Sequence, residues 1–207
     1  MRTIEKKVFT YDELDEQAKR QALELFSESV FVDQYEYEHT LDDIDHIASL
    51  IGIDLDVLPS NNPKAKGGPC IYWSGFYSQR DGASFDGTYR YKSGALKAIK
   101  DVRPHDKELH LIAKGLQEVQ RRFFYKLEAR VKARNSRHTM DIDVTYVDDM
   151  WRDVGSAESE ISTLLHDFAD WIYDRLRDEY EYQTSREVLE ENIRCNEYEF
   201  YEDGECI

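Results

Sequence analysis

The stretch that says most about the fold is Ile71-Tyr-Trp-Ser-Gly-Phe-Tyr-Ser-Gln-Arg-Asp-Gly-Ala-Ser-Phe85. Aromatic residues crowd both of its ends, and such residues favour the pleated, half-buried surface of a β-sheet. The Asp-Gly dipeptide near its middle is typical of a hairpin turn. The sequence therefore predicts two antiparallel strands joined by a tight turn at residues 79–82, with Trp73 and Phe85 mostly buried.

Polar side chains gather around this turn in a number that a plain hairpin does not require. We interpret them, with two flanking aromatic residues, as the candidate binding surface, and we expect Arg80 to be exposed. Its members are Trp73, Ser74, Tyr77, Ser78, Gln79, Arg80, Asp81 and Ser84. The alternative for the aromatic members is ordinary core packing, with Tyr77 at the rim.

The rest of the chain alternates between helical and strand-like patterns. The pair Thr10 and Glu13 has the spacing of a capping box. In this motif the threonine hydroxyl accepts a hydrogen bond from an unpaired backbone amide of the first helical turn, and the glutamate side chain reaches back to the amide of the threonine. Apolar residues at helical spacing predict helices over 11–28, 34–51, 93–102, 106–134, 156–176 and from about 185 onward. Alternating residues predict strands at 2–9, 53–57, 140–146 and 197–202.

These elements predict a fold class. Hairpin signals and helices mixed along one chain indicate an α+β fold, in which an antiparallel sheet containing the aromatic hairpin is covered by several helices. At 207 residues, the chain has the length of one domain spanning 1–207. The segment 178–207 is its acidic C-terminal part.

Charge is distributed unevenly over a chain of net charge −16. Residues 89–137 carry 14 basic and 5 acidic side chains, whereas residues 178–207 carry 2 and 11. One interpretation is internal complementarity, in which the basic segment lies against acidic neighbours. The other is that the acidic surface attracts basic protein partners, as a mimic of phosphates. A hydrophobic content of 41% excludes a disordered chain.

Several features predict a cytoplasmic protein without a membrane segment. No apolar run approaches the roughly 20 residues of a membrane span, and the first residues lack the apolar core of a secretory signal. Three cysteines, Cys70, Cys195 and Cys206, are irregularly spaced and indicate a reducing compartment.

Catalytic and metal-binding signals are weak. His39, Asp43 and His46 share one helical face, but an exposed acidic helix contains such triples by chance, and we predict no metal site. No Gly-x-Ser-x-Gly elbow and no phosphate-binding glycine loop is present. We expect no cofactor and no recognisable catalytic residue.

Two segments resemble hallmarks of small, mostly uncharacterised phage proteins. The first is Phe9-Thr-Tyr-Asp-Glu-Leu14 followed by Ala18-Lys19, and the second is Trp73-Ser-Gly-Phe-Tyr-Ser-Gln-Arg-Asp-Gly-Ala-Ser-Phe85. The usual form of the second segment has glycine where this chain has Arg80, so the turn or its ligand differs here. The resemblance implies a phage or prophage gene expressed in a bacterial cytoplasm.

Three hypotheses for function follow. The first is a non-enzymatic phage protein that binds, and inhibits, a host or bacterial defence protein. The second is a nucleotide- or nucleic-acid-binding module that uses the hairpin tip and a basic helix at 106–134, although such proteins are normally basic overall. The third is an enzyme with an unfamiliar site at Ser78, Gln79, Asp81 and Ser84.

Overall fold

The computed structural model describes residues 7–29, 37–59, 67–78, 81–134, 139–149 and 151–207. The helices in these ranges are α1 Glu16–Ser29, α2 Glu38–Ile51, α3 Ala95–Val102, α4 Lys107–Arg122, α5 Ala157–Gln183 and α6 Arg186–Cys195. The strands are β1 Phe9–Thr10, β2 Ile53–Leu55, β3 Ile71–Trp73, β4 Ala83–Phe85, β5 Gly87–Arg90, β6 Leu127–Ala133, β7 Met140–Tyr146 and β8 Glu199–Phe200. This mixture of helices and antiparallel strands confirms the predicted α+β class.

The largest sheet has four antiparallel strands in the order β2-β5-β6-β7. Strand β7 has the bounds predicted from its alternating residues. Gly87 on β5 is needed for close pairing, because a Cβ atom there would lie 2.6 Å from the carbonyl oxygen of Asp54 on β2. Two further sheets, β1-β8 and β3-β4, have two strands each.

The prediction of one helix over 106–134 is wrong. Helix α4 ends at Arg122, and residues 127–133 form β6, which lies inside the four-stranded sheet. Leu127 and Val131 are spaced four apart, which fits a helix, but with Ala129 they also alternate as one buried strand face. Sheet pairing on both sides of β6 decided between these two patterns.

The chain divides into two compact units. The first comprises Met1–Tyr37 and Asp178–Ile207, and the second comprises Glu38–Arg177. Helix α5 runs through the boundary. The acidic segment 178–207 thus forms a compact unit with the N-terminal part of the chain.

The second unit contains the four-stranded sheet, the hairpin β3-β4 and the helices α2 to α4. Its core includes large side chains with almost no exposed surface, namely Ile44, Ile47, Ile53, Phe85, Tyr89, Ile99, Leu109, Phe168 and Trp171. Helix α2 ends at Ile51, as predicted, and the next residue, Gly52, has a φ of +88°, which glycine adopts readily.

The first unit packs α1 and α6 around a small apolar cluster, formed by Tyr11, Leu14, Ala18, Ala22, Ile193 and Phe200. The predicted pair Thr10 and Glu13 is present, since the Thr10 amide and hydroxyl both donate to the Glu13 carboxylate. It closes a single 3₁₀ turn at Tyr11–Glu13, and α1 begins only at Glu16. Of the predicted strand 2–9, residues 2–6 lie outside the described ranges; in the described part, β1 begins at Phe9 and ends at Thr10.

The last helix begins at Arg186, next to the predicted position, with Ser185 as its N-cap. Thr184 lies directly before this N-cap, and its hydroxyl donates to the carbonyl oxygen of Tyr180 in α5. In the described ranges no helix combines the length and the apolar character that crossing a membrane requires.

Candidate functional site

The aromatic hairpin forms as predicted, but with shorter strands and a longer connection. Strands β3 and β4 are antiparallel, with Ile71 opposite Phe85 and Trp73 opposite Ala83. The connection therefore covers residues 74–82, which we call the hairpin loop, rather than a tight turn at 79–82. Gln79 and Arg80 lie outside the described residues, so the exposure of Arg80 stays a prediction.

The hairpin is attached to the core through Phe85. This ring is fully buried and lies edge-on against Phe168 of α5, with 5.8 Å between ring centroids. Trp73 is only partly buried because β3 ends there and the chain leaves the sheet. Both residues are thus mostly buried, as predicted, Phe85 completely and Trp73 less so.

Asp81 holds the hairpin loop in shape. Its Oδ2 atom accepts hydrogen bonds from the backbone nitrogens of Tyr77, at 2.9 Å, and Ser78, at 2.6 Å. The backbone nitrogen of Asp81 in turn donates to the carbonyl oxygen of Ser78 at 3.0 Å. Hydrogen bonds from backbone N–H groups to a charged carboxylate are shorter and stronger than those to a neutral acceptor.

The two ends of the loop are also tied. The Ser74 hydroxyl accepts the Gly82 amide at 3.3 Å, and the Ser74 amide donates to the Gly82 carbonyl oxygen at 3.2 Å. On α5, the Tyr173 hydroxyl donates to the carbonyl oxygen of Gly75 at 3.1 Å. Burial, and then the Asp81 carboxylate, raises the pKa of Tyr173, so that this hydroxyl keeps its proton at neutral pH.

The loop separates its two aromatic residues. The Phe76 ring packs against Tyr173, with 5.5 Å between centroids, whereas the Tyr77 side chain is 85% exposed. Ser84, on β4, is fully buried, and its hydroxyl has no hydrogen-bond partner in the described part of the chain. Ser84 therefore lies inside the hairpin packing, and the exposed candidate surface consists of Tyr77 and its neighbours in the loop.

The basic middle of the chain is paired internally. At least eight of its side chains form ion pairs with carboxylates in the described ranges: Arg90, Arg103, Lys114, Arg122, Lys126, Arg130, Lys132 and Arg134. Six of the carboxylates come from outside residues 89–137, namely Asp43, Asp56, Asp86, Asp141, Asp148 and Glu160. This arrangement agrees with the interpretation of internal complementarity.

Asp56 is the centre of the densest of these contacts. Its carboxylate accepts hydrogen bonds from the two terminal guanidinium nitrogens of Arg130 and, at 3.1 Å, from the Lys132 ammonium group. The hydrogen bond from Arg130, supported by Lys132, holds the pKa of Asp56 below its usual range. These contacts join β6 to the chain that follows β2.

Sequence reasoning missed the turn between α4 and β6. Phe124 and Tyr125 both have left-handed backbone conformations there, with φ of 55° and 61°. Glycine is the usual signal for such a turn, and the segment has none. The three consecutive aromatic residues 123–125, followed by alternation from Leu127, were the available signal.

One of the three residues that share a helical face on α2, Asp43, has a partner elsewhere in the second unit. The Asp43 carboxylate binds the Arg103 guanidinium group. The structure offers no group of three or more metal-ligating side chains within the ranges it describes. All three cysteines are free thiols, with Cys70 buried and the other two exposed.

Comparison with known proteins shows which protein family the chain matches. No curated protein and no solved structure matches the chain. The model of one family, described as a domain of unknown function (DUF8835), matches residues 37–186. That range contains the hairpin loop, the four-stranded sheet and all of α5. Because the match covers most of the sequence, the chain belongs to the DUF8835 family.

Proposed function

We propose that this protein is a non-enzymatic phage protein that binds a bacterial host or defence protein through its hairpin loop and inhibits it. The observation that carries the proposal is the combination of an exposed ring at Tyr77 with a loop backbone fixed by Asp81. A tyrosine presented on a rigid loop is typical of recognition surfaces.

The use of the polar side chains supports binding over catalysis at this place. A catalytic carboxylate must face the substrate, but Asp81 Oδ2 is directed at two amides of its own loop. A nucleophilic hydroxyl must be accessible, but Ser84 is fully buried. The Ser74 hydroxyl is a partner of the Gly82 amide. These groups hold the loop together.

The fixed loop has a consequence for affinity. Binding a flexible loop requires ordering it, and this opposes association by about 0.5–1.5 kcal/mol per immobilised side chain. Hydrogen bonds from Asp81 and Tyr173 to the loop backbone are already present before any partner arrives. The structure of the loop therefore favours a partner with a complementary surface, which the Tyr77 ring would enter.

The acidic segment supplies the electrostatic part of the proposal. Nine of its carboxylates are exposed, namely Asp178, Glu181, Glu187, Glu191, Glu197, Glu199, Glu202, Asp203 and Glu205. Such a surface attracts basic proteins and can occupy sites that normally hold phosphates. Glu190 differs from these residues because it accepts hydrogen bonds from Tyr11 and Arg186. It is a structural residue of the first unit.

Affinity capture from a bacterial lysate tests the proposal, with the wild-type chain and the Tyr77→Ala variant as baits. The control bait is Trp151→Ala, which removes another exposed aromatic ring, of 91% exposure, from the segment between β7 and α5. We expect a protein that is retained by the wild type and by the control but not by Tyr77→Ala. The activity of that protein should fall when the wild-type chain is added. A partner that all three baits retain equally would contradict the role of the loop.

A further inference from the structure

The turn between α4 and β6 has a backbone conformation that its residues disfavour. The Tyr125 amide donates to the Gln120 carbonyl oxygen at 2.8 Å, which is the closing hydrogen bond of a Schellman motif. Phe124 then occupies the left-handed position that glycine usually takes. Tyr125 is left-handed as well. Aromatic side chains rarely adopt this conformation, and it persists only where the surroundings impose it.

Gln120 imposes it here. This side chain is fully buried, and its amide group donates to the Leu127 carbonyl oxygen at 2.7 Å and accepts the Leu127 amide at 3.2 Å. Together with the backbone bond to Tyr125, these contacts fix the start of β6 relative to the end of α4. The residues on both sides of the strained turn are therefore hydrogen-bonded to one buried residue, Gln120.

Neither of the two strained side chains is buried. The Phe124 side chain is 79% exposed and that of Tyr125 is 43% exposed. The Tyr125 ring lies against Tyr91, which follows β5, with 4.3 Å between centroids. Strain of this kind at exposed side chains is a feature of functional sites. We define the aromatic turn as residues 121–126 with the neighbouring residues 90–94.

The charge of the aromatic turn is opposite to that of the chain. The two segments contain five basic residues, Arg90, Lys92, Arg121, Arg122 and Lys126, and no acidic residue. Three of the five, Arg90, Arg122 and Lys126, pair with carboxylates on neighbouring elements. Half or more of each of these basic side chains is exposed. Exposed pairs of this kind contribute little to stability and can exchange partners. Arg121 and Lys92 are also exposed.

We propose that the aromatic turn binds single-stranded nucleic acid, with bases stacked on Phe124 and Tyr125 and phosphates held by Arg90, Arg121 and Lys126. Exposed rings beside cations are the means by which proteins bind single strands without reading their sequence. An acidic protein segment would satisfy the cations equally well, but it would leave the flat ring faces without the stacking partner that a base supplies. This site is independent of the hairpin loop and of the function proposed for it.

The experiment measures the fluorescence anisotropy of a labelled thymidine 20-mer, single-stranded, as the full chain is added at low salt. We expect binding that weakens steeply as salt rises, because phosphate contacts release counterions. Phe124→Gly is the decisive variant. It should raise the midpoint of thermal unfolding, since glycine accepts the left-handed position. It should also weaken binding about tenfold, since a stacking ring is lost.

A purely structural role for Phe124 predicts that the same variant gains stability and keeps its binding, and that result would overturn the proposal. Arg121→Glu should weaken binding, whereas Lys114→Glu, at an exposed lysine on α4 outside the aromatic turn, should not. Equal effects of the two reversals would mean attraction by general charge and would also overturn it. The proposal fails as well if the wild-type chain does not bind at low salt, or if polyglutamate competes as well as unlabelled 20-mer does.

Discussion

The Oδ2 atom of Asp81 lies 2.6 Å from the backbone nitrogen of Ser78 and so fixes the hairpin loop from within. The same oxygen accepts the Tyr77 amide, so one side chain determines how the exposed Tyr77 ring is presented. The loop belongs to a hairpin that Phe85 attaches to the core. The proposed function depends on this continuous support, from core to strand to loop.

Replacing Asp81 with alanine should release the loop while the fold is kept. The two amides lose a charged acceptor, which corresponds to about 1–3 kcal/mol of unfolding free energy. We expect faster hydrogen exchange at the amides of Tyr77 and Ser78, measured by NMR, and weaker binding of the captured partner. Asp81→Asn keeps one acceptor oxygen and should have an intermediate effect. Unchanged exchange in the alanine variant would show that other contacts hold the loop.

Regular alternation made some elements predictable from sequence. Strand β7 has the predicted bounds because its residues alternate between core and solvent along the whole edge of the sheet. Residues 106–134 were ambiguous, because Leu127 and Val131 satisfy both a helical and a strand pattern. The turn at Phe124 and Tyr125 that separates α4 from β6 has no glycine to mark it. Long-range pairing with β5 and β7 decided the outcome.

The candidate site was predictable in its position but not in its internal structure. The aromatic flanks indicated the hairpin correctly. The Asp-Gly dipeptide suggested a tight turn, but the connection between β3 and β4 has nine residues. Within it, Asp81 accepts hydrogen bonds from the amides of the residues three and four positions earlier. Contacts with α5, such as that between Tyr173 and Gly75, join residues 98 positions apart. No local pattern contains such a contact.

The hairpin should be anchored more strongly by Phe85 than by Trp73. Phe85→Ala leaves a cavity in the core and should lower the free energy of unfolding by about 3–5 kcal/mol. Trp73 is only partly buried, so Trp73→Ala should lower it by about 2 kcal/mol. Chemical denaturation measures both values. A larger loss for Trp73→Ala than for Phe85→Ala would contradict the described packing.

Asp56 should make stability depend on pH. Its pKa is lowered in the folded state by Arg130 and Lys132, so its contribution is present above the unfolded pKa of about 3.9 and is lost as the pH falls through the lower, folded value. At neutral pH, Asp56→Asn should lower the free energy of unfolding by about 1 kcal/mol. The difference from the wild type should vanish in acid.

Denaturation at a series of pH values checks this expectation. The control is Asp141→Asn, which removes a more exposed partner of Arg134 and should change stability less at every pH. A difference between wild type and Asp56→Asn that is the same at neutral and acidic pH would exclude the ion pairs as its cause.

The acidic segment should affect the rate of association. Reversing Glu191, Glu197 and Glu199 to lysine leaves the structural Glu190 intact and should slow association with the captured partner, because electrostatic steering is lost. The difference from the wild type should shrink as ionic strength rises. Stopped-flow measurements give the association rate.

A matched control for this variant reverses three exposed carboxylates of the second unit, Asp101, Glu118 and Glu158. It changes the net charge by the same amount and should slow association less. Equal slowing in both variants would assign the effect to net charge rather than to the acidic segment.

Crosslinking from a single position asks directly whether the hairpin loop is the surface that meets the partner. A photoreactive phenylalanine analogue is placed at Tyr77 in one variant and at the exposed Trp151, between β7 and α5, in another. After irradiation with the captured partner, we expect a covalent adduct from position 77 and none from position 151. An adduct from position 151 alone, or none from position 77 while binding is retained, would contradict the proposed role of the loop.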